Sequence, residues 1–194
     1  MLLMVEIVSL DHFLTNFLIK LIPHNVFFDY FFSFFSMRGA SILVWLIAIV
    51  LTVILEERKH PGISKRDKKF ILLFSLSFLM TLLFTDIVLK HIFQRTRPFF
   101  GLYRQVLLFQ ANCPRDFSFP SGHAATAFAA ATVLTFFDKK RRWFYYLVAI
   151  LISYSRIYLG CHYFMDVIGG AIVGYIISRL LLSVLGTSPS RRKS

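Results

Sequence analysis

The chain has 194 residues, of which 57% are hydrophobic and only 16% charged, with 23 phenylalanines and a mean hydropathy of +0.66. A water-soluble core cannot hide that much apolar side chain, so the composition excludes a soluble globular protein and points to an all-α integral membrane bundle. The formal net charge of +12 does not mark a nucleic-acid binder, because the charges sit in polar gaps between apolar spans and form no basic face or basic–aromatic platform.

Residues 1–39 are apolar but interrupted by Glu6, Asp11, Lys20, Pro23, His24, Asp29 and Arg38. Leu10 to Ile22 predicts a short helix ended near Pro23, and Phe27 to Phe35 is an aromatic run carrying Asp29. Neither offers the roughly 20 uninterrupted apolar residues of a span. They read as two interfacial helices lying at the bilayer surface with phenylalanines inward. A tilted span across residues 1–22, making six spans in all, is the competing reading. His12 and His24 read as plain interfacial polar residues. The first residues lack a basic stretch and a small-residue cleavage site, so no removable signal peptide is expected.

Ala40 to Leu55 is the first span, extended by Met37 to Gly39, and Glu56 to Lys69 is a charged loop with a turn at Pro61-Gly62. Phe70 to Leu89 is the second span. Lys90 stands at its end, and Asp86 one turn earlier takes a structural or supporting role. Residues 91–119 form a long polar connection carrying Arg95, Arg97, Arg104 and Arg115, a loop length that is often functional. Its Phe99-Phe100 and Leu107-Leu108-Phe109 are suited to dip into the membrane interface.

Pro120 opens the third span, which runs to Phe137, since proline is well tolerated at a helix start. The backbone N–H groups around Gly122 would then form an anion site at a helix N-terminus. The alanine- and threonine-rich stretch from Ala124 to Thr132 marks this as the central helix, because small residues let membrane helices approach closely. After a basic loop from Asp138 to Arg142, Trp143 to Ser155 is the fourth span, extended by the turn containing Arg156. Phe164 to Leu185 is the fifth, with Gly170 and Gly174 offering a close helix contact. The chain reads as one domain over residues 1–186, with residues 1–39 as its N-terminal helices and 187–194 as a basic, disordered tail.

Two cysteines, Cys113 and Cys161, fall on the same side of the membrane. The plain reading is two unpaired small residues; a disulfide tying the long loop to the segment before His162 is the sharper one. The loops at 56–69 and 138–142 and the tail at 191–193 carry most of the remaining lysine and arginine. The positive-inside rule puts them in the cytoplasm. Five spans then bring residues 90–120 and 156–163 together on the opposite face.

Those segments hold three polar clusters in an otherwise apolar chain: Lys90 to Arg97-Pro98, Pro120-Ser121-Gly122-His123, and Ser155-Arg156 to His162 and Asp166. The inventory of three fixed cations, two imidazoles and a carboxylate suits a site that grips and cleaves a phosphate ester. Lys90, Arg97 and Arg156 can neutralise phosphate oxygens. One histidine can attack phosphorus, another can protonate the leaving oxygen, and a carboxylate can fix a tautomer. His162 and Asp166, four apart, would share one face of a helix.

Lys90, six residues, Arg97-Pro98; Pro-Ser-Gly-His at 120–123; Ser155-Arg156, five residues, His162, three residues, Asp166: this resembles the three-part signature of the type 2 phosphatidic acid phosphatase superfamily of membrane lipid phosphate phosphatases. The resemblance implies His162 as a nucleophile forming a phosphohistidine, Asp166 as its orienting carboxylate, and His123 as general acid. It also implies Lys90, Arg97, Arg156, Ser121 and the Gly122 N–H as the phosphate clamp. It implies no metal and no cofactor, because the cations take the metal's place; a zinc site from His123, His162 and Asp166 is the alternative use of those ligands. Related soluble haloperoxidases share the motifs and bind vanadate, so vanadate inhibition is expected.

The expected activity is hydrolysis of a lipid phosphate or pyrophosphate at the outer face of a bacterial inner membrane. Undecaprenyl pyrophosphate, phosphatidylglycerol phosphate, phosphatidic acid and lipid A phosphates are the candidate substrates. A phosphotransferase using the same histidine and a noncatalytic membrane scaffold or transporter are the alternatives. The sequence carries no signal of oligomeric state.

Overall fold

The computed structural model describes residues 2–36, 43–45, 47, 50, 65–98 and 113–186, and every element among them is helical. Helix α1 (Leu2–Leu21) begins well before the predicted Leu10 and stops short of Pro23, as expected where proline disfavours helical geometry in the preceding residue. Helix α2 (Val26–Ser36) follows. Asn25 starts it by accepting the Phe28 N–H on its side-chain oxygen at 2.9 Å, as asparagine commonly does at a helix N-cap. Asp29 and Phe32 of α2 are buried, whereas Phe13, Phe17 and Phe27 are exposed, so only part of the phenylalanine set turns inward.

Helix α3 (Lys65–Phe93) is continuous and has a wide-turn segment, Phe84–Leu89, directly before Lys90. There the Lys90 N–H reaches back five residues to the Thr85 carbonyl. Such insertions are common beside functional sites. Gln94 ends the helix with a left-handed backbone at φ 45°. Helix α4 (Gly122–Phe137) starts two residues later than the sequence suggests. Pro120 follows a cis peptide bond and stands outside the helix, and Ser121 is the N-cap. After a short 3-10 turn at Lys139–Arg141, helix α5 (Arg142–Tyr158) takes in Arg156 itself, which the apolar pattern places in a following turn. Helix α6 (Phe164–Leu185) keeps its predicted bounds.

Helix α4 is the centre. Ala124, Ala125, Ala127, Ala129, Ala130, Ala131, Val133 and Leu134 are all buried, and α3, α5 and α6 pack around them. Its alanines let α6 approach closely. A Cβ added at Gly174 would fall 1.9 Å from the Ala125 carbonyl oxygen, and one at Gly170 would fall 2.4 Å from that of Ser121. The glycine pair is therefore a contact surface whose size is fixed by backbone. Trp45, helical and buried, joins the core with Phe70, Leu73, Tyr145 and Ile152.

The outer surface is apolar: Leu72, Leu147 and Leu180 are each more than half exposed. A bilayer tolerates such a surface and water does not. Among the described residues, only α3 and α6 are long and apolar enough to cross a membrane by themselves; α4 has 16 residues and α5 has 17. Most of the predicted first span, Ala40 to Leu55, lies outside the described residues, as do the turn at Pro61-Gly62, the aromatic runs at 99–100 and 107–109, and the tail.

The Arg66 guanidinium donates to the Phe137 carbonyl, so the start of α3 meets the end of α4. The basic segments at 65–69 and 138–142 thus share one end of the bundle, and the three polar clusters lie at the other. Replacing Gly174 by alanine is predicted to cost about 1–3 kcal/mol, as overpacking does. The measurement is the thermal midpoint in detergent, and an unchanged midpoint would show that α4 and α6 part freely.

Candidate active site

Each polar cluster reaches the site through a specific break in a helix. Lys90 is on the last turn of α3; past the Gln94 turn the chain runs without regular structure through Arg97. The Ser118 N–H donates to the Arg95 carbonyl at 2.8 Å and its hydroxyl to that of Thr96 at 3.1 Å, so segment 95–97 is laced to segment 116–118. Arg97 completes the lacing: its Nε donates to the Asp116 carbonyl at 2.9 Å, and Nη2 donates to the Asp116 carboxylate at 2.7 Å and the Phe117 carbonyl at 3.2 Å.

Asp116 also meets Lys90 Nζ at 2.5 Å, and Asp86 meets the same ammonium at 2.5 Å. Asp86 thus pairs with Lys90, the supporting role expected of it. A Cβ on Gly122 would lie 3.2 Å from the Asp86 carboxylate, which places the start of α4 against this ion pair.

The third cluster is folded by Gly160. Its φ of +67° suits glycine alone without strain and ends α5. The N–H groups of Cys161 and His162 then both donate to the Arg156 carbonyl, at 2.9 and 3.2 Å. His162 therefore lies between α5 and α6, not on the helix shared with Asp166 that the four-residue spacing suggested. Asp166, in the first turn of α6, accepts the Tyr163 N–H at 2.9 Å and so caps its own helix. His162 Nδ1 and Asp166 Oδ2 are 3.4 Å apart, longer than the roughly 2.7–3.2 Å of a normal N–H···O bond.

The other ring nitrogen fixes the tautomer. Arg97 Nη1 lies 3.0 Å from His162 Nε2 and also donates to the Cys161 carbonyl at 2.8 Å. A guanidinium can only donate. Nε2 therefore accepts, and the ring proton is on Nδ1, facing Asp166. Burial, then the charges of Arg156, Arg97 and Lys90, push the His162 imidazole well below its ordinary value of 6.5, so the ring is neutral at neutral pH.

Arg156, almost fully buried, donates to the Ser36 carbonyl at 3.1 Å and to its hydroxyl. His123, half-buried on the first turn of α4, shares its electrostatic surroundings with Arg156, His162, Lys90 and Arg97. Ser121 is buried; its N–H donates to the Asp166 carbonyl at 2.9 Å, and its hydroxyl takes the Ala124 N–H at a long 3.5 Å. All eight residues singled out in the sequence thus gather at one end of the bundle.

Four contributors were not singled out: Ser36, Arg95, Asp116 and Asp11, whose carboxylate meets Arg95. Asp11 had a legible signal, being a carboxylate inside an apolar helix, where an ionisable group is functional by default. The cysteines are joined: Cys113 and Cys161, Cα atoms 5.4 Å apart, form a disulfide, which overturns the unpaired reading and ties the loop before α4 to the residue preceding His162.

A model of the PAP2 superfamily matches residues 69–189 of this chain, spanning all three clusters. The chain belongs to the PAP2 superfamily. Among its PAP2 relatives, the undecaprenyl-diphosphatase of Sulfolobus acidocaldarius is 33% identical over 131 residues, 67% of this chain and 62% of that protein. The lipid A 4'-phosphatase of Bacteroides thetaiotaomicron is 33% identical over 164 residues, 78% of this chain and 67% of that protein. The crystal structure of Aquifex aeolicus LpxE matches with a TM-score of 0.60 at 30% identity, over 86% of this chain and 92% of that one. The transmembrane PAP2-type phosphatidylglycerolphosphate phosphatase of Bacillus subtilis shares the fold, with a TM-score of 0.61 over 96% of this chain and 90% of that one at 24% identity. This PAP2 chain therefore shares its all-helical fold with a transmembrane PAP2-type protein, and its relatives from Sulfolobus acidocaldarius and Bacteroides thetaiotaomicron are named as phosphatases.

Asp116 ties the cation pair to solution pH. Burial pushes its carboxyl up, but hydrogen bonds and charge from Lys90, then from Arg97, outweigh burial and hold it at about 2. A carboxyl depressed in the fold contributes stability that is complete above its unfolded value and lost as pH falls through its folded value. The melting midpoint of the wild type should exceed that of Asp116→Asn by a constant margin above about pH 5. That margin should close between about pH 4 and pH 2. A margin that persists at the acid end would contradict these pairings.

Proposed function

We propose that this chain is a metal-independent lipid phosphate or pyrophosphate phosphatase working through a phosphohistidine on His162. The observation that carries the reading is the His162 ring itself. It is neutral, its proton faces Asp166, and its Nε2 lone pair points at Arg97. A phosphate drawn to Lys90, Arg97 and Arg156 would take over the Arg97 N–H that Nε2 accepts and leave that lone pair facing phosphorus.

The chemistry follows. Nε2 attacks phosphorus while the bond to the lipid oxygen breaks, and His123, protonated as the phosphate anion binds beside it, delivers that proton to the leaving oxygen. The imidazolium that forms is stabilised by Asp166, whose contact with Nδ1 shortens as charge develops, since such bonds tighten in the reacting complex. Water then attacks phosphorus, passes a proton to His123, and displaces the imidazole with release of inorganic phosphate. Charge spread over the equatorial oxygens is met by the three cations, with the Gly122 N–H at the start of α4 and the Ser121 hydroxyl completing the ring. These fixed charges do the work a metal does elsewhere.

The substrate is drawn from undecaprenyl pyrophosphate, phosphatidylglycerol phosphate, phosphatidic acid and lipid A phosphate. Undecaprenyl and lipid A substrates are favoured by the names of the relatives from Sulfolobus acidocaldarius and Bacteroides thetaiotaomicron. The site lies at the bundle end opposite the basic segments, which supports an outward-facing site in a bacterial inner membrane.

Phosphate release by purified protein in detergent, with excess chelator, tests this across the four lipids. Wild type is expected to release phosphate from at least one, and His162→Ala to lose about 1,000-fold or more, as nucleophile removal does. Equal rates for the two proteins would remove His162 from the nucleophile role. Activity abolished by chelator and restored by zinc would favour a metal centre, and release only with an acceptor lipid would favour phosphotransfer.

A further inference from the structure

We propose that Arg95 is a positioning residue for the His162–Asp166 pair and that Asp11 of helix α1 holds Arg95 in place. The inference rests on His162 acting as the nucleophile.

Asp166 has two oxygens with different tasks. Oδ2 faces His162 Nδ1 and takes the Tyr163 N–H. Oδ1 is held by Arg95 Nη1 at 2.7 Å. The same guanidinium reaches Asp11 Oδ2 through Nη2 at 2.5 Å and lies over the Tyr163 ring, 4.1 Å from its centre. Both carboxylates are buried, Asp166 at 0% and Asp11 at 1% exposure. Two buried carboxylates repel one another and lose hydration; a single planar cation between them offsets both effects.

Asp11 is itself fixed from the other side. Its Oδ1 accepts the Met165 N–H at 2.8 Å. One turn along α1, the Thr15 hydroxyl accepts the Phe164 N–H at 2.9 Å and donates to the Asp11 carbonyl at 2.7 Å. The first N–H groups of α6 are thus received by side chains: Asp166 takes that of Tyr163, and α1 takes the next two. Helix α1 and the start of α6 form one hydrogen-bonded unit with Arg95 at its centre.

The consequence is geometric. With Oδ1 anchored by Arg95, the Asp166 carboxylate cannot rotate about its last bond, and Oδ2 stays aimed at His162. Arg95 meets the carboxylate on its far oxygen, away from the imidazole, whereas Lys90, Arg97 and Arg156 are the cations offered to phosphate. It therefore acts on the chemical step through Asp166 and leaves substrate binding alone. Lysine would keep the charge but lacks the rigid planar fork that aims a separate N–H at each carboxylate.

The test uses the full-length protein in detergent and the lipid phosphate that wild type hydrolyses. The readouts are kcat, KM and melting midpoint for Arg95→Ala, Arg95→Lys, Asp11→Asn and Asp166→Asn, and for Arg95→Ala combined with Asp166→Asn. Arg95→Ala is expected to lower kcat about 10- to 100-fold, the usual cost of losing the partner that orients an active group. KM should stay within about twofold. Arg95→Lys should recover part of the loss, and Asp11→Asn should lose less than Arg95→Ala. In the Asp166→Asn background, Arg95→Ala should have no further effect on kcat.

Wild-type kcat in folded Arg95→Ala overturns the proposal. So does a rise in KM matching the fall in kcat, or the same fold-loss with and without Asp166. If Arg95→Ala does not fold, Arg95→Lys and Asp11→Asn decide: reduced kcat at unchanged KM supports it, and wild-type kcat in both overturns it. His162→Ala is measured alongside. Activity that survives there overturns the nucleophile reading; activity lost there but intact in Arg95→Ala overturns only this one.

Discussion

Everything at the site depends on how closely α6 approaches α4. Gly170 and Gly174 put the backbone of one helix against the carbonyls of the other, with no room for a methyl group. That contact sets the Ser121 N–H on the Asp166 carbonyl at 2.9 Å, and so fixes the second cluster against the third. Without side chains between them, the helices hold two halves of a polar site in register to within a hydrogen-bond length. Small residues serve here as they do in other membrane helix pairs, where packing takes over from the hydrophobic effect as the force between helices.

A second constraint follows from charge in an apolar bundle. An ion that leaves water must find partners or neutralise. Asp116 bridges Lys90 and Arg97, Asp86 supports Lys90, and Arg95 joins Asp11 to Asp166. His162 takes the other course and is held neutral. Burial and the cations facing His162 depress its basicity and keep Nε2 unprotonated, and those cations are the same groups that would draw a phosphate to it. One arrangement of charge prepares the nucleophile and the binding site together.

The sequence disclosed the motif residues and the later helices well, because both signals are local. Phe164–Leu185 reads directly from its apolar length, and the central place of α4 from its alanines. Contacts made across long separations were not legible. Arg95 meets Asp166 across 71 positions and Asp11 across 84, and Arg156 meets Ser36 across 120. No pattern in a single sequence links such positions, although the lone carboxylate of Asp11 in an apolar helix was a visible clue. The disulfide was open for the same reason, its cysteines lying 48 apart. The helix face expected for His162 and Asp166 failed through one residue: Gly160, in a left-handed turn, ends α5 and leaves His162 between helices. Pro120 misled in a similar way, because proline suits a helix start by its fixed φ but here precedes the serine that caps the helix.

The central claim is that phosphate passes through His162 on its way to water. The most direct measurement is the stereochemical course at phosphorus, using the preferred lipid substrate as a phosphorothioate made chiral with one heavy oxygen isotope and hydrolysed in water carrying the other. Two successive in-line displacements, at His162 and then by water, predict retention of configuration. Inversion would mean that water attacks the lipid phosphate directly, and it would contradict the account.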